Sequence, residues 1–262
     1  MKNILFLTII ILFVSCKNDK KVDVNTSEEN LEIAANIYPE NISKVFDAHG
    51  GIVVWNSIEN LVFEIEHPEG NEKTTTALKS RKSLIETDEF KIGFDGEKVW
   101  IKQDSLVYKG NAKFYYNLMS YFYAMPFILG DYGIIYENVE PLIFEDKAYP
   151  GIKISYNAGV GESPEDEYIL YYDSETNKMA WLGYTVTYFS KEKSKVFRFI
   201  KYSNWQTIEG LLLPETLIWY NSEDNKPTTK KGKELKFTNV ILSKVKPKDA
   251  LFEMVEGAKV VE

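Results

Sequence analysis

Apolar and polar residues alternate in short runs along most of this chain, and the alternation breaks at two places. In LVFEIEH (61–67), Leu61, Phe63 and Ile65 take one face while Val62, Glu64 and Glu66 take the other. This period of two is the signature of a half-buried strand. KTTTALKS, KSLIETD, FKIGFDG and EKVWIKQ follow at short spacing. Asp95-Gly96 supplies the positive-φ pair that a tight hairpin turn requires. After residue 137 the runs NVEPLIFED, GIKISYN, DEYILYYD, MAWLGYTVTYFS, KVFRFIKYSNWQ, GLLLPETLIWYN and KELKFTNVILSK repeat the pattern. GESPE, SETNK, KEKS, TIEG and SEDNKPTTKKG read as the hairpin tips between them. Connections this short predict antiparallel neighbours, since parallel strands need long crossovers. PKDALFEM, near the end, predicts one short helical turn.

The first break is PENISKVFDAHGG, where Ile42, Val45, Phe46 and Ala48 recur at helical spacing. The second is residues 111–133, which carry no charge from Phe114 to Gly130. There Tyr115, Leu118, Phe122 and Leu129 form one helical stripe, and Phe114, Tyr121 and Met125 another. A helix apolar nearly all round must be covered on more than one side, and Pro126 should kink or end it. The expected fold is therefore mainly β: one strongly curved antiparallel sheet of about ten or eleven strands. It forms an incomplete barrel, with the helices on its concave side closing off the edges. A two-sheet sandwich is the alternative arrangement.

The N-terminus departs from both patterns. MKNILFLTIIILFVSC has a basic Lys2 and an apolar run from Ile4 to Val14. That run is shorter than the roughly 20 residues a membrane span needs, but it suits a signal-peptide core. Val14-Ser15-Cys16 resembles a bacterial lipobox, with Phe13 in place of the commoner Leu. The resemblance implies a signal peptide over 1–15 and acyl chains (palmitate among them) on Cys16. An ordinary signal peptide with a chance cysteine is the alternative. Two or more chains would hold the protein on a membrane, at about 0.8 kcal/mol per buried CH₂. Residues 16–36 read as a lipidated, polar tether, and 37–262 as one half-barrel domain. KNDKK after Cys16 is mixed in sign rather than acidic, which favours the periplasmic side of the outer membrane over surface export.

Composition narrows the chemistry. The 262 residues are 44% hydrophobic and 14% aromatic with a formal net charge of −8, which argues against nucleic acid as a partner. One cysteine excludes an internal disulfide, and no Cys/His spacing suits zinc. His49 in DAHGG invites a catalytic reading, yet no Gly-x-Ser-x-Gly elbow exists and Asp47 cannot share its helix face. A helix end, closed by Gly-Gly and complemented by the imidazole, accounts for it. Glu64, Glu66 and His67 alternate in facing, as expected of a solvated strand end rather than a metal site. Asp95, Glu97 and Asp104 fall at hairpin ends as turn formers. The tips at 161–167 and 226–234 read as solvated loops rather than calcium or lipid-head sites. No cofactor or metal is expected.

A helix ending in Gly-Gly, then FDGEKVWIKQ, LMSYFYAMPFILGD, YYDSETNKMAWLGYTVTYF, YSNWQTIEGLLLPETLIWY and FTNVILSKVKPKDALFEM, stand in one order. This set resembles the lipoprotein-carrier superfamily typified by LolA and LolB, and uncharacterised Bacteroidota lipoproteins related to it, over most of residues 38–255. The resemblance implies a half-barrel that holds acyl chains or other apolar ligands between sheet and helices. The chain differs from the carriers in its anchor and its length, and no arginine matches one that would handle a lipoprotein in transit. The expectation is thus a non-catalytic, lipid-anchored envelope protein, a carrier or sensor for a lipid or other apolar molecule. Its seam is expected to be lined by Trp100, Tyr115, Leu118, Phe122, Met125, Trp181 and Phe199. A filled barrel that engages an envelope protein partner is the alternative, and an envelope hydrolase a third reading.

Overall fold

The computed structural model describes residues 37–262 except 106, 157–164 and 191. The expected signal peptide, Cys16 and tether lie outside the described residues. Two short helices open the fold, α1 (Glu40–Ala48) and α2 (Ile52–Asn56). A five-strand meander follows: β1 (Asn60–Ile65), β2 (Glu72–Ala77), β3 (Ser83–Glu86), β4 (Phe90–Phe94) and β5 (Val99–Gln103). After an apolar helical segment the chain resumes as β6 (Ile134–Phe144), β7 (Lys147–Tyr156), β8 (Tyr168–Tyr172), β9 (Met179–Tyr184), β10 (Arg198–Ile208) and β11 (Leu211–Glu223). β12 (Lys226–Lys230), β13 (Leu235–Ser243) and β14 (Lys259–Val260) complete the set.

Among the described residues, all fourteen strands belong to one sheet, in the order β14-β5-β4-β3-β2-β1-β13-β11-β10-β9-β8-β7-β6, with β12 paired to β11. Every pairing is antiparallel, and β13 joins the two meanders by pairing with both β1 and β11. The sheet does not close, so it is an open half-barrel rather than a sandwich. It has more strands than the pattern predicts because short pieces also pair, such as β12 in a tip expected to be a loop and the two-residue β14. Its free edges are guarded, one by the brevity of β14 and the other by Pro141 within a bulge of β6, both devices against edge pairing. A second bulge between β1 and β13 places Asn239 at φ 49. Bulges of this kind increase local bend and twist.

Turn chemistry fits the hairpins. Glu145-Asp146, Glu209-Gly210 and Asp224-Asn225 each have positive φ at both positions, the geometry that matches strand twist in two-residue turns. At the β4–β5 turn, Asp95 accepts hydrogen bonds from the Glu97 and Lys98 amides, both at 2.8 Å. Its carboxyl is held below the usual range, chiefly by the Lys98 amide.

The uncharged segment is not one helix. It forms α3 (Ala112–Tyr115), α4 (Leu118–Tyr123) and a 3-10 turn, Phe127–Gly130. Asn111 caps α3 by accepting from the Phe114 amide at 3.0 Å, Asn117 starts a new turn, and Pro126 has no N–H to continue one. Each break frees backbone carbonyls that need donors. Ser83 donates to the Tyr116 carbonyl at 3.0 Å, Tyr202 to Phe122 at 2.7 Å and Tyr38 to Gly130 at 2.7 Å. Tyr136 donates to the Leu129 carbonyl. The tyrosine richness thus serves the irregular backbone as well as the core.

The main core lies between these helices and one face of the sheet. Phe46, Trp55, Phe122, Phe127 and Leu129 meet Leu61, Phe63, Ile154, Leu182, Ile200 and Phe237. Trp55 stacks on Phe127 with ring centres 4.9 Å apart.

His49 ends α1 and pins it to the sheet. Its Nδ1 donates to the Leu212 carbonyl at 2.9 Å, and its Nε2 accepts from the Met179 amide at 3.0 Å. Those partners demand the neutral ring, and burial above all lowers its pKa to about 4. Gly50 follows at φ +99, where a Cβ would stand 2.2 Å from the Gly210 carbonyl oxygen. Only glycine lets the two chains approach so closely.

Candidate functional site

Between the helical segment and the β7–β8 end of the sheet lies a cavity of about 320 Å³. One wall is the outer side of α3, α4 and the turn beyond them: Phe114, Leu118, Tyr121, Phe122, Met125 and Ile128. The facing wall is Tyr156 at the end of β7 and Tyr168 at the start of β8, with Tyr188 beyond β9. Asp131, Asp166, Lys113, Asn117 and the almost fully exposed Tyr132 also line it. The walls are firmly held. Phe122 packs against Tyr184 and Trp219 at 5.1 and 6.0 Å between ring centres. Around the mouth, Phe114 meets Tyr188 and the exposed Phe189 at 5.0 and 5.1 Å. A narrow crevice continues past Tyr121 towards Arg81, Thr76 and Ser120.

Arg81, Asp131 and Asp166 are already engaged. Arg81 pairs with Asp131 and lies 5.7 Å from the centre of the Tyr121 ring. Burial raises the Asp131 pKa, against the lowering effect of Arg81. Asp166 is buried and accepts from the Thr187 amide at 2.6 Å. Burial also raises the Tyr121, Tyr156 and Tyr168 phenols, so they remain neutral donors at physiological pH. Nearby, Tyr115 donates to both oxygens of buried Glu72 at 2.9 and 3.2 Å. Burial pushes that carboxyl above its ordinary value.

Of the residues expected to line the seam, Leu118, Phe122 and Met125 share this cavity. Tyr115 sits one turn earlier, engaged with Glu72. Trp100, Trp181 and Phe199 lie on the opposite face of the sheet. Successive residues of a strand point to opposite faces, and Leu182 and Ile200 are the ones that meet the helices. Trp181 and Phe199 instead pack with Tyr171, Ile218 and Tyr220. Trp100 packs on Gly93, where a Cβ would fall 2.2 Å from the indole, and donates to the Phe252 carbonyl at 2.9 Å. Sequence reasoning missed Asp131, Asp166, Tyr156 and Tyr168. Tyr168 shares a face of β8 with Leu170 and Tyr172, which was the available signal for it, whereas Asp166 reads as part of a solvated tip.

Among the described residues, no cluster of three or more His, Cys, Asp or Glu could hold a metal ion. Glu64 accepts from Asn71 and Asn239 at 3.0 and 2.9 Å, while Glu66 and His67 are exposed. Lys230 pairs with Glu234 at 2.8 Å in the basic tip. Among the described residues, no helix is long and apolar enough to cross a membrane.

Solved structures similar to this chain include a LolA superfamily protein from Nitrosomonas europaea, at 10% identity and TM-score 0.45, over 77% of this chain and 96% of that one. A DUF1329 family protein from Desulfovibrio piger shows 11% identity and TM-score 0.46, over 82% and 98%. A domain described as an outer membrane lipoprotein-sorting protein, from Vibrio parahaemolyticus, shows 9% identity and TM-score 0.36, over 73% and 92%. No curated protein matches the sequence. Residues 88–230, which run from the third hairpin through the cavity walls to β12, match the model of DUF6503, a family of unknown function, and the chain belongs to that family.

Proposed function

We propose that this protein binds a lipid or other apolar molecule between its helices and sheet, as a non-catalytic carrier or sensor. It would act in the bacterial cell envelope, anchored through acylated Cys16 and facing the periplasm from the outer membrane. The observation that carries the reading is the cavity of about 320 Å³, walled mainly by aromatic and aliphatic side chains. Ligand sites are typically concave, mostly apolar and about 300–1,000 Å³. Affinity in such a site comes from buried apolar area, at about 25 cal/mol per Å². The non-catalytic reading is supported by His49, whose two ring nitrogens are both committed to backbone partners.

Native mass spectrometry followed by organic extraction tests the proposal, together with titration of the apolar fluorophore N-phenylnaphthylamine. The expected result is one bound apolar molecule per chain, lost in a Leu118→Trp/Met125→Trp variant that fills the cavity. A correctly folded protein that takes up neither co-purified lipid nor the probe would overturn it.

Exposed Tyr132 and Phe189 at the mouth support a second reading, an envelope protein partner covering that rim. A stoichiometric partner lost on Phe189→Ser, with no uptake of the probe, would favour it.

A further inference from the structure

We infer that the cavity takes a single-chain amphiphile with an uncharged oxygen headgroup (an ester, amide or alcohol), held by the phenols of Tyr121, Tyr156 and Tyr168. The inference rests on the apolar-ligand reading above and names the headgroup that it leaves open.

The three tyrosines come from three elements, α4, β7 and β8, yet line one cavity. The rings of Tyr156 and Tyr168 meet edge to face, 6.1 Å between centres. None of the three hydroxyls has a hydrogen-bond partner among the described residues. All three residues are half-buried, so water meets these hydroxyls in the empty cavity, and an apolar occupant that displaces it must bring a polar group in exchange.

The charged lining settles the sign of that group. Asp131 is engaged by Arg81 and Asp166 by the Thr187 amide, while Lys113 lies exposed at the rim. The described lining holds Asp131, Asp166 and Lys113, with Arg81 in the adjoining crevice. With both acids and Arg81 already engaged, a charged headgroup would give up its water without a free counter-charge inside the cavity. A neutral carbonyl or hydroxyl oxygen carries a smaller desolvation cost and accepts from the phenols. A volume of about 320 Å³ stands at the small end of ligand sites, which suits one chain rather than two.

The test uses the full-length chain carrying Cys16→Ser, stripped of co-purifying lipid. Three compounds with the same twelve-carbon chain compete with N-phenylnaphthylamine at pH 7.5: glycerol monolaurate, laurate and dodecylamine. The inference expects glycerol monolaurate to bind at least tenfold more tightly than either charged analogue. A Tyr156→Phe/Tyr168→Phe variant should narrow the preference for glycerol monolaurate over laurate and dodecylamine about tenfold. Equal or tighter binding of laurate or dodecylamine overturns the inference, as does an unaltered preference in the double variant. If the fluorophore itself does not bind, the apolar-ligand reading fails, and this inference with it.

Discussion

Acid should weaken this fold through one ring. His49 is buried, donates from Nδ1 to the Leu212 carbonyl and accepts at Nε2 from the Met179 amide. Protonation would put a second donor against that amide, in a pocket walled by Trp205 and Phe127 at 4.4 and 6.3 Å between ring centres. Burial, the largest influence, and the charge of Lys178 together lower the pKa from 6.5 to about 4. The unfolded chain therefore binds this proton more readily than the folded one. The contribution to stability is complete above pH 6.5, erodes as pH falls from 6.5 to 4, and is flat below. A difference of 2.5 between those two values corresponds to about 3.5 kcal/mol, at about 1.4 kcal/mol per unit. Urea unfolding, followed by tryptophan fluorescence at steps from pH 8 to pH 4, measures it for wild type and for His49→Gln and His49→Asn. Neither amide titrates in this range, so subtracting their profiles cancels the carboxylates. Both variants should be less stable by about 1–3 kcal/mol at pH 8, and the gap to wild type should shrink or reverse towards pH 4. A wild-type-minus-variant difference that stays constant with pH would refute the assignment of a neutral, doubly bonded ring.

Other perturbations separate the site from the scaffold. Trp181→Phe should leave uptake of an apolar probe unchanged, because its side chain lies on the face away from the cavity, whereas Leu118→Trp should reduce uptake at least tenfold; fluorescence titration compares them. Tyr202→Phe should cost about 1–3 kcal/mol in urea unfolding, because the Phe122 carbonyl loses its buried donor. Gly50→Ala should prevent folding or cost several kcal/mol, through both its positive φ and the clash with the Gly210 oxygen, as read by thermal unfolding. Glu72→Gln should stabilise the fold increasingly as pH rises. The Glu72 pKa is raised from 4.5 by burial, so wild type loses stability as pH climbs from 4.5 through the raised value, and unfolding at pH 4 and 8 measures the difference.

Much of this architecture was written in the pattern of residues. Alternation gave the strands, Asp95-Gly96 and the other tips gave antiparallel hairpins, and the uncharged stretch from Phe114 to Gly130 located the apolar wall of the cavity. The same stretch marked Leu118, Phe122 and Met125, because a segment without charge must face apolar surroundings wherever it lies. His49 read correctly as a helix end, since a cap is a local matter of a few consecutive residues. Alternation along a strand tells which residues share a face, but not which face receives the helices. That choice depends on packing between segments far apart in sequence, and it placed Trp100, Trp181 and Phe199 away from the cavity. The breaks in the helical segment also rest on distant donors, Ser83, Tyr202, Tyr136 and Tyr38, which make a broken helix tolerable. The polar end of the cavity depends on tertiary structure still more. Tyr121, Tyr156, Tyr168, Asp131 and Asp166 are unremarkable where they stand in the sequence, and only the curl of the sheet against the helices brings them to one place.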